Sequence, residues 1–260
     1  MTIIELNKRL YTVPTTWDEL SRKQLLEVSD VLYVCRDNVD DGSYLKLFKI
    51  ITGMSWFRFF STRPIDMEDF LYLTFFLVTG DGPVKNIIKE YDVLVGPDDD
   101  FNNISGDEFV FSEDFYFAFI NSKYEDLDAL NNLVAILYRH PKKNYDRKID
   151  PDGDLRQPFN QNICLHNAKH IVKYLPISFR LAVFHWYNAC RIKMISENPD
   201  VFTGAGGEAP KYGLLSMMRT IAESGIHGDF DKVQKMYVKM WMMELNEKIE
   251  EAKRIEKINK

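Results

Sequence analysis

The sequence predicts a mainly α-helical protein: a multi-helix bundle with a small N-terminal β-hairpin and a second short hairpin near 84–95. Apolar side chains recur every three to four residues over most of the chain, which is the spacing of an amphipathic helix. Several such stretches begin with Ser or Asp and end at Gly, the usual signals of a helix start and stop. With 260 residues and 45% apolar content, the chain can bury one sizeable core or two packed helical lobes.

The first 36 residues predict a hairpin, a single turn and a helix. Residues 3–11 can pair about Asn7 and Lys8, although Asn-Lys is a weaker turn signal than Asn-Gly. A turn that carries Trp17 follows. Ser21 and Gln24 then have the spacing of a capping box, so an amphipathic helix is predicted over 21–36.

Residues 41–80 predict three further helices. The first covers 41–51 and is closed by Gly53, and the second is short and aromatic, over 55–61. Asp66 is predicted to cap a third helix, which runs to Thr79 and stops at Gly80. This stretch contains the longest apolar run of the chain, residues 70–78. It is about half the roughly 20 residues that a spanning helix needs, so it predicts a buried helix and no membrane span.

The stretch from 83 to 97 is ambiguous between strand and helix, and Ile87-Ile88 with residues 93–95 can form the short hairpin. Ser105 and Glu108 then repeat the capping-box spacing, and a helix is predicted to about residue 121. Another helix is predicted over 125–138, before Pro141.

In the second half, helices are predicted at 161–174, 178–197, 211–224 and from 229 to the end, with a glycine-rich connector at 202–210. The segment 140–158 is rich in Pro, Asp, Lys and Gly, and among the internal segments it has the composition most typical of a loop. Residues 1–260 therefore form either one helical domain or two lobes, an acidic one over 1–139 and a basic one over 159–260, joined by that loop.

Charge is divided unevenly along the chain. Residues 1–130 carry 12 Lys and Arg against 24 Asp and Glu, whereas residues 131–260 carry 21 against 15. One interpretation is that these are solvated surfaces that differ in sign. The other is that oppositely charged faces attract, within the chain or head to tail between copies. The second interpretation makes Asp98, Asp99, Asp100, Lys142, Lys143 and Arg147 candidate interface residues.

The end of the chain offers a second candidate interface. Ile249, Ala252, Ile255 and Ile258 form a narrow apolar stripe in a heavily charged helical tail. The stripe suits a partner helix in a coiled-coil-like seam, or else it folds back on its own body or frays. Ile249, Ile255 and Ile258 are the interface residues that the first alternative predicts.

No catalytic or cofactor motif is present, and we expect no catalytic residue, no cofactor and no resident metal. His166 and His170 have metal-ligand spacing on one helix, but the sequence dictates no third ligand. The three widely separated cysteines and the lack of a secretory signal favour reduced thiols in a cytoplasmic setting. The acidic total argues against recognition of a nucleic-acid sequence.

Four stretches carry a resemblance to a protein family: PTTWDEL at 14–20, NISGDEF at 103–109, LVAILYR at 133–139 and RQPFN at 156–160. They resemble small helical proteins encoded among the virion genes of tailed phages of Bacteroides-type hosts. The resemblance implies a role in tail assembly or in the head-to-tail connection, as a tail-assembly chaperone or a ring-forming connector component. It implies copies of itself or other phage structural proteins as partners, in the host cytoplasm during assembly or in the virion at the tail or head-tail junction.

The sequence therefore favours a non-enzymatic phage structural or assembly protein that acts through protein–protein contacts. One alternative is a bacterial cytoplasmic helical adaptor or regulator unrelated to phage, whose gene would lack capsid, portal and tail neighbours. Another alternative is an enzyme whose catalytic residues come together from distant helices. His166 and His170 are the only residues in the sequence that favour it.

Overall fold

The computed structural model describes residues 1–146, 148, 153–203 and 213–258. Within them lie thirteen α-helices and two separate two-stranded antiparallel hairpins, which confirms the mainly α fold. The chain divides into two compact units. The first comprises Met1–Ile88 and Tyr174–Ala189, and the second comprises Lys89–Lys173 and Cys190–Lys260.

The N-terminal hairpin is confirmed, with strands β1 (Thr2–Leu6) and β2 (Arg9–Val13). Leu6 pairs with Arg9, which leaves Asn7 and Lys8 as a two-residue turn. Their φ angles of 52° and 60° are both positive, as the twist-compatible type I′ turn requires. The Asn7 side chain also donates a hydrogen bond to Thr62 Oγ1 at 3.0 Å, which ties the turn to the body of the first unit.

The helices of the first unit begin at the local signals that the sequence contains. Ser21 and Gln24 form the predicted capping box: the Ser21 amide donates to Gln24 Oε1 at 2.9 Å and the Gln24 amide to Ser21 Oγ at 3.3 Å. Gly53 ends its helix in the left-handed conformation at φ 66°. These elements are α1 (Arg22–Val34), α2 (Asp41–Thr52), α3 (Trp56–Ser61), α4 (Pro64–Glu68) and α5 (Phe75–Thr79).

The predicted helix from Asp66 to Thr79 is wrong, because the chain forms α4, a 3-10 turn at Leu71–Thr74 and then α5. Pro64 occupies the first turn of α4, where its missing amide costs nothing. Asp66 lies inside α4 and forms an ion pair with Arg63 at 2.7 Å instead of capping a helix. Thr74 donates its hydroxyl to the Leu71 carbonyl at 2.7 Å, a bond that competes with a regular helix. Across the described residues no helix has the length and apolar character to cross a membrane.

His185 lies in the first-unit part of α9 (Ile177–Glu197), where it packs tightly among neighbours of the same unit. Its ring centroid is 5.5 Å from that of Trp17. Gly82 lies so close to the backbone of His185 that an added Cβ would come within 2.4 Å of the carbonyl oxygen. Burial lowers the pKa of His185 to about 4 from the usual 6.5, because the charged imidazolium loses its hydration there.

We therefore expect the first unit to lose stability as the pH falls from about 6.5 to about 4. In that interval the unfolded chain binds a proton at His185 that the folded chain does not, and above it the contribution is constant. Since the side chain is partly exposed, the loss should be about 2 kcal/mol, less than the full shift would give. Urea unfolding of His185→Gln across this interval should show a correspondingly flatter pH dependence. His166→Gln, at an exposed position, should behave as the parent protein, and equal slopes for all three would refute the expectation.

The second unit begins with the short hairpin near 84–95, formed by β3 (Glu90–Tyr91) and β4 (Leu94–Val95). The first strand is therefore not Ile87-Ile88. In the stretch 83–97, which the sequence left open, four residues form strands and none is helical. Val95 also pairs with Arg139 through two backbone hydrogen bonds of 2.8 and 3.1 Å. This bridge joins the hairpin to the end of α7.

The helices of the second unit are α6 (Gly106–Asn121), α7 (Leu127–Leu137), α8 (Gln161–His170), α10 (Pro199–Thr203), α11 (Gly213–Ala222), α12 (Phe230–Val233) and α13 (Val238–Ile258). The first three pack together around fully buried side chains such as Phe109, Phe119 and Leu133. Most of the predicted connector 202–210 lies outside the described residues. The predicted loop 140–158 lies within the second unit. The two ends of this loop are joined by backbone hydrogen bonds, among them one from the Lys142 amide to the Leu155 carbonyl at 2.9 Å.

The predicted capping box at Ser105 and Glu108 is wrong, although α6 does begin there. The Ser105 hydroxyl donates to Asp107, and the Glu108 side chain points to two arginines. The first amides of α6 find other acceptors: Gly106 donates to the Met236 carbonyl at 2.9 Å and Asp107 to the Gln234 carbonyl at 2.8 Å. The start of α6 is thus satisfied by a distant backbone segment rather than by its own side chains.

Candidate interaction surfaces

The predicted interface acids Asp98, Asp99 and Asp100 form ion pairs within the second unit. Lys89 Nζ lies 3.9 Å from Asp98 and 2.5 Å from Asp99. Asp100 lies between two ammonium groups, 2.7 Å from Lys193 and 2.6 Å from Lys239. Burial alone would raise the pKa of Asp100, but hydrogen bonds from these lysines hold it below its usual value. Each of the three acids therefore has a lysine partner within the second unit.

The backbone at Asp100 takes a sparsely populated conformation. Asp100 and Phe101 have φ angles of 53° and 55°, in the left-handed region that non-glycine residues rarely adopt. The two lysines hold the Asp100 carboxylate in this turn. Beside it lies a pocket of about 240 Å³, lined by Asp100, Phe101, Met194, Glu197, Asn198, Lys239, Met242 and Met243. Its apolar lining comes from one aromatic ring and three adaptable methionines.

The predicted basic residues are only partly described. Lys143 is exposed, whereas Lys142 is half-buried with its ammonium group 5.9 Å from the centre of the Tyr145 ring. Lys142 also lines a pocket of about 230 Å³, together with Lys235, Tyr237 and several buried charged side chains. Arg147 lies outside the described residues.

A buried charge cluster of Glu108, Arg139, Asp154 and Arg156 lies at the inner wall of that pocket. Glu108 is 2.6 Å from Arg139 Nη2 and 3.1 Å from Arg156 Nη2. Asp154 is 2.8 Å from Arg156 Nη2 and also accepts from Arg156 Nε at 2.9 Å. All four side chains are nearly or fully shielded from solvent, so each charge is stabilised by its partners rather than by water.

The remaining donors of both arginines bind backbone carbonyls. Arg139 donates to Ile136 and to Gln157, each at 2.7 Å. Arg156 donates to Leu137 at 3.1 Å and to Asn103 at 2.7 Å. The cluster therefore links three chain segments: the start of α6, the end of α7 and the extended segment that contains Arg156.

Three of the four stretches that carry the family resemblance meet at this cluster. Glu108 belongs to 103–109, Arg139 to 133–139 and Arg156 to 156–160. Burial raises the pKa of the adjacent Asp107, which accepts a hydrogen bond from Ser105. The sequence did not predict the cluster, because Glu108 was assigned to a helix cap and Arg139 was given no structural role. The available signal was the position of Arg139 directly after the apolar run 133–138, which places it beside buried residues, where its charge needs a partner.

The C-terminal helix α13 continues to Ile258, and its last turns are exposed. Ile249 is half-buried, while Ile255 and Ile258 are 53% and 81% exposed. A spacing of three residues turns the side chain back by about 60° at each step on a 3.6-residue helix. Ile249 and Ile258 therefore lie on opposite sides of α13, and the stripe is not a straight seam.

An aromatic surface that no sequence motif marks as a site lies on the first unit. It consists of Trp56, Phe57 and Phe60 of α3 with Lys49 of α2. The three rings are 54%, 84% and 76% exposed. Trp56 and Phe60 stack with centroids 5.5 Å apart, and Lys49 Nζ lies 4.3 Å from the centre of the Trp56 ring. Phe59, between them in sequence, is buried and anchors the helix.

Five exposed residues of the second unit, which we call the acidic surface, lie on the second half of α6, in the α6–α7 turn and at the start of α7: Asp114, Phe117, Glu125, Leu127 and Asp128. Asp114 and Phe117 are one helical turn apart on α6 and so share a face. The tight turn between the helices is held by hydrogen bonds from the Lys123 and Tyr124 amides to Ile120 and Phe119. Carboxylates and two apolar side chains are thus exposed on this helix pair.

His166 and His170 lie next to each other on the exposed side of α8, with ring centroids 4.3 Å apart and the ring planes tilted by 34°. Cys164 is buried, on another side of the same helix. Within the described ranges, no three His, Cys, Asp or Glu side chains are grouped as a metal site would need. In comparisons with known proteins, no family model, curated protein or solved structure matches the chain.

Proposed function

We propose that this protein is a non-enzymatic structural or assembly protein of a tailed phage, acting through protein–protein contacts. The observation that carries the proposal is the aromatic surface of α3, with three rings more than half exposed. Contiguous exposed apolar side chains of this size are uncommon on isolated proteins and usually mark a binding surface. Aromatic residues are also the side chains that most often dominate the energy of an interface.

The buried charge cluster supports a structural role for the second unit. Its arginine donors are occupied by carboxylates and carbonyls, so the cluster holds three chain segments in fixed positions. A rigid body is what an assembly component has to present to its neighbours. Three of the four stretches that resemble virion-associated proteins supply three of its four charged side chains, Glu108, Arg139 and Arg156.

Genome context and particle assembly test the proposal together. We expect genes for capsid, portal and tail proteins beside this one, and we expect phage that lack the gene to accumulate unjoined or incomplete particles in electron micrographs. A gene neighbourhood without virion genes would refute the phage assignment and favour the bacterial adaptor. Normal infectious particles in the absence of the gene would also refute it.

The enzyme alternative has its own test. If His166 and His170 served metal chemistry, the purified protein would carry stoichiometric metal, and His170→Ala would lose it. We expect no stoichiometric metal in elemental analysis, and we expect His170→Ala to behave as the parent protein. The opposite result would contradict the proposed non-enzymatic role.

A further inference from the structure

We infer that the aromatic surface of one copy docks on the acidic surface of a second copy of this chain. The inference rests on the proposed function and deepens it by naming the partner as the protein itself. It requires that each surface be exposed on the single chain, which holds for both.

The charge around the aromatic surface favours an acidic partner. Residues 42–65 contain Lys46, Lys49, Arg58 and Arg63 and no acid, within a half of the chain that is otherwise strongly acidic. Arg63 is paired with Asp66, but Arg58 is exposed between Phe57 and Phe59 on α3, and Lys46 is exposed on α2. The surface thus combines flat apolar rings with cations, and an acidic partner with apolar side chains matches it.

The acidic surface of the same chain has that composition. Its carboxylates come from Asp114, Glu125 and Asp128, and Phe117 and Leu127 add apolar area. The nearby Arg191 is already paired with Glu113 at 2.8 Å and lies 4.8 Å from the centre of the Phe117 ring. It therefore orders the Phe117 ring and is itself paired with a different acid, Glu113.

A second copy explains both surfaces at once, whereas an unrelated acidic partner would leave the acidic surface unexplained. The two surfaces are different patches, so the contact is heterologous: each copy uses one patch on each of two neighbours. Such a contact closes into a ring if the rotation between copies allows it, and otherwise extends as a filament. A ring-forming connector component would have this arrangement.

Two variants, each with one surface altered, separate the two patches. The first, Phe57→Ser with Phe60→Ser, removes two exposed rings and leaves the acidic surface intact. The second, Asp114→Lys with Asp128→Asn, removes the acidity and leaves the rings intact. The asparagine avoids placing a cation in the first turn of α7. Ile226→Ser, at an exposed apolar position outside both surfaces, is the matched control. Circular dichroism verifies that all of them are folded.

Light scattering over a range of concentrations, at low and high salt, measures self-association. We expect the parent and Ile226→Ser to form oligomers that weaken as salt screens the charges. Each double variant alone should associate about 30-fold more weakly or worse. An equimolar mixture of the two should form a 1:1 dimer and nothing larger, because only one intact pair of surfaces remains between them.

Several results would overturn the inference. These are a parent that stays monomeric throughout, association that survives either double variant, or a mixture that forms no dimer. They are distinguishable from failure of the proposed function, since a monomeric protein encoded among virion genes and required for complete particles would still be an assembly protein.

Discussion

Replacing Arg156 by methionine should lower the free energy of unfolding of the second unit by about 3–5 kcal/mol. The Arg156 side chain is fully buried and makes ionic contacts with Asp154 and Glu108. Without the guanidinium, Asp154 loses its closest cation and Glu108 keeps only Arg139, while the carbonyls of Asn103 and Leu137 each lose a donor. Removing one member of a buried ion pair is costly because the remaining charge has no water to replace its partner.

Urea unfolding followed by circular dichroism measures this loss. Arg219→Met is the matched control, since Arg219 forms an exposed ion pair with Glu223 one turn away and should change stability by only about 0.5 kcal/mol. The double variant Glu108→Gln with Arg156→Met should lose less stability than the sum of the losses of the two single variants. Arg156→Met takes a cation away from the Glu108 carboxylate, and Glu108→Gln removes the charge of that carboxylate. Equal stability of Arg156→Met and Arg219→Met would contradict the cluster as described.

The two predicted capping boxes show where local sequence reasoning holds and where it fails. Ser21 and Gln24 complete their box because their partners lie within the same turn. Ser105 and Glu108 have the same spacing, but Glu108 finds Arg139 and Arg156, which are 31 and 48 residues further along the chain. A side chain does not bind its local partner when the tertiary structure places a stronger, oppositely charged partner beside it. That choice cannot be predicted from the spacing alone.

The same distinction applies to the surfaces. The aromatic composition of 55–61 was evident in the sequence, and a short helix there is confirmed. Which rings face solvent depends on what α3 packs against, so Phe59 is buried while Phe57 and Phe60 are exposed. Likewise, the excess of acids in residues 1–130 was evident, but the pairing of Asp100 with Lys193 and Lys239 joins residues that are distant in the chain. Composition predicted a charged interface region, and tertiary pairing decided which acids remain exposed.

Gly106→Ala should be strongly disruptive although it adds only one carbon atom. A Cβ on Gly106 would lie 1.5 Å from Cζ2 of Trp241, a fully buried ring whose indole nitrogen donates to the Val233 carbonyl at 2.9 Å. The ring cannot turn aside without losing that hydrogen bond and its packing. We expect a loss of about 3 kcal/mol or more in the free energy of unfolding, because overpacking a rigid site forces the backbone to move.

The expected loss of stability has the opposite sign to the usual effect of this substitution in a helix. Glycine-to-alanine changes in helices usually stabilise a protein by about 0.5–1 kcal/mol, since alanine is the better helix former. Gly42→Ala in α2 is the matched control: its added Cβ would meet no atom closer than 3.5 Å, and we expect it to be neutral or slightly stabilising.

Thermal unfolding followed by tryptophan fluorescence reports on both variants, and displacement of Trp241 should also alter the emission of the folded Gly106→Ala protein. The amides of Gly106 and Asp107 bind the Met236 and Gln234 carbonyls, so a shifted ring should also loosen the segment that leads into α13. Gly106→Ala as stable as Gly42→Ala would mean that Trp241 does not pack against the start of α6.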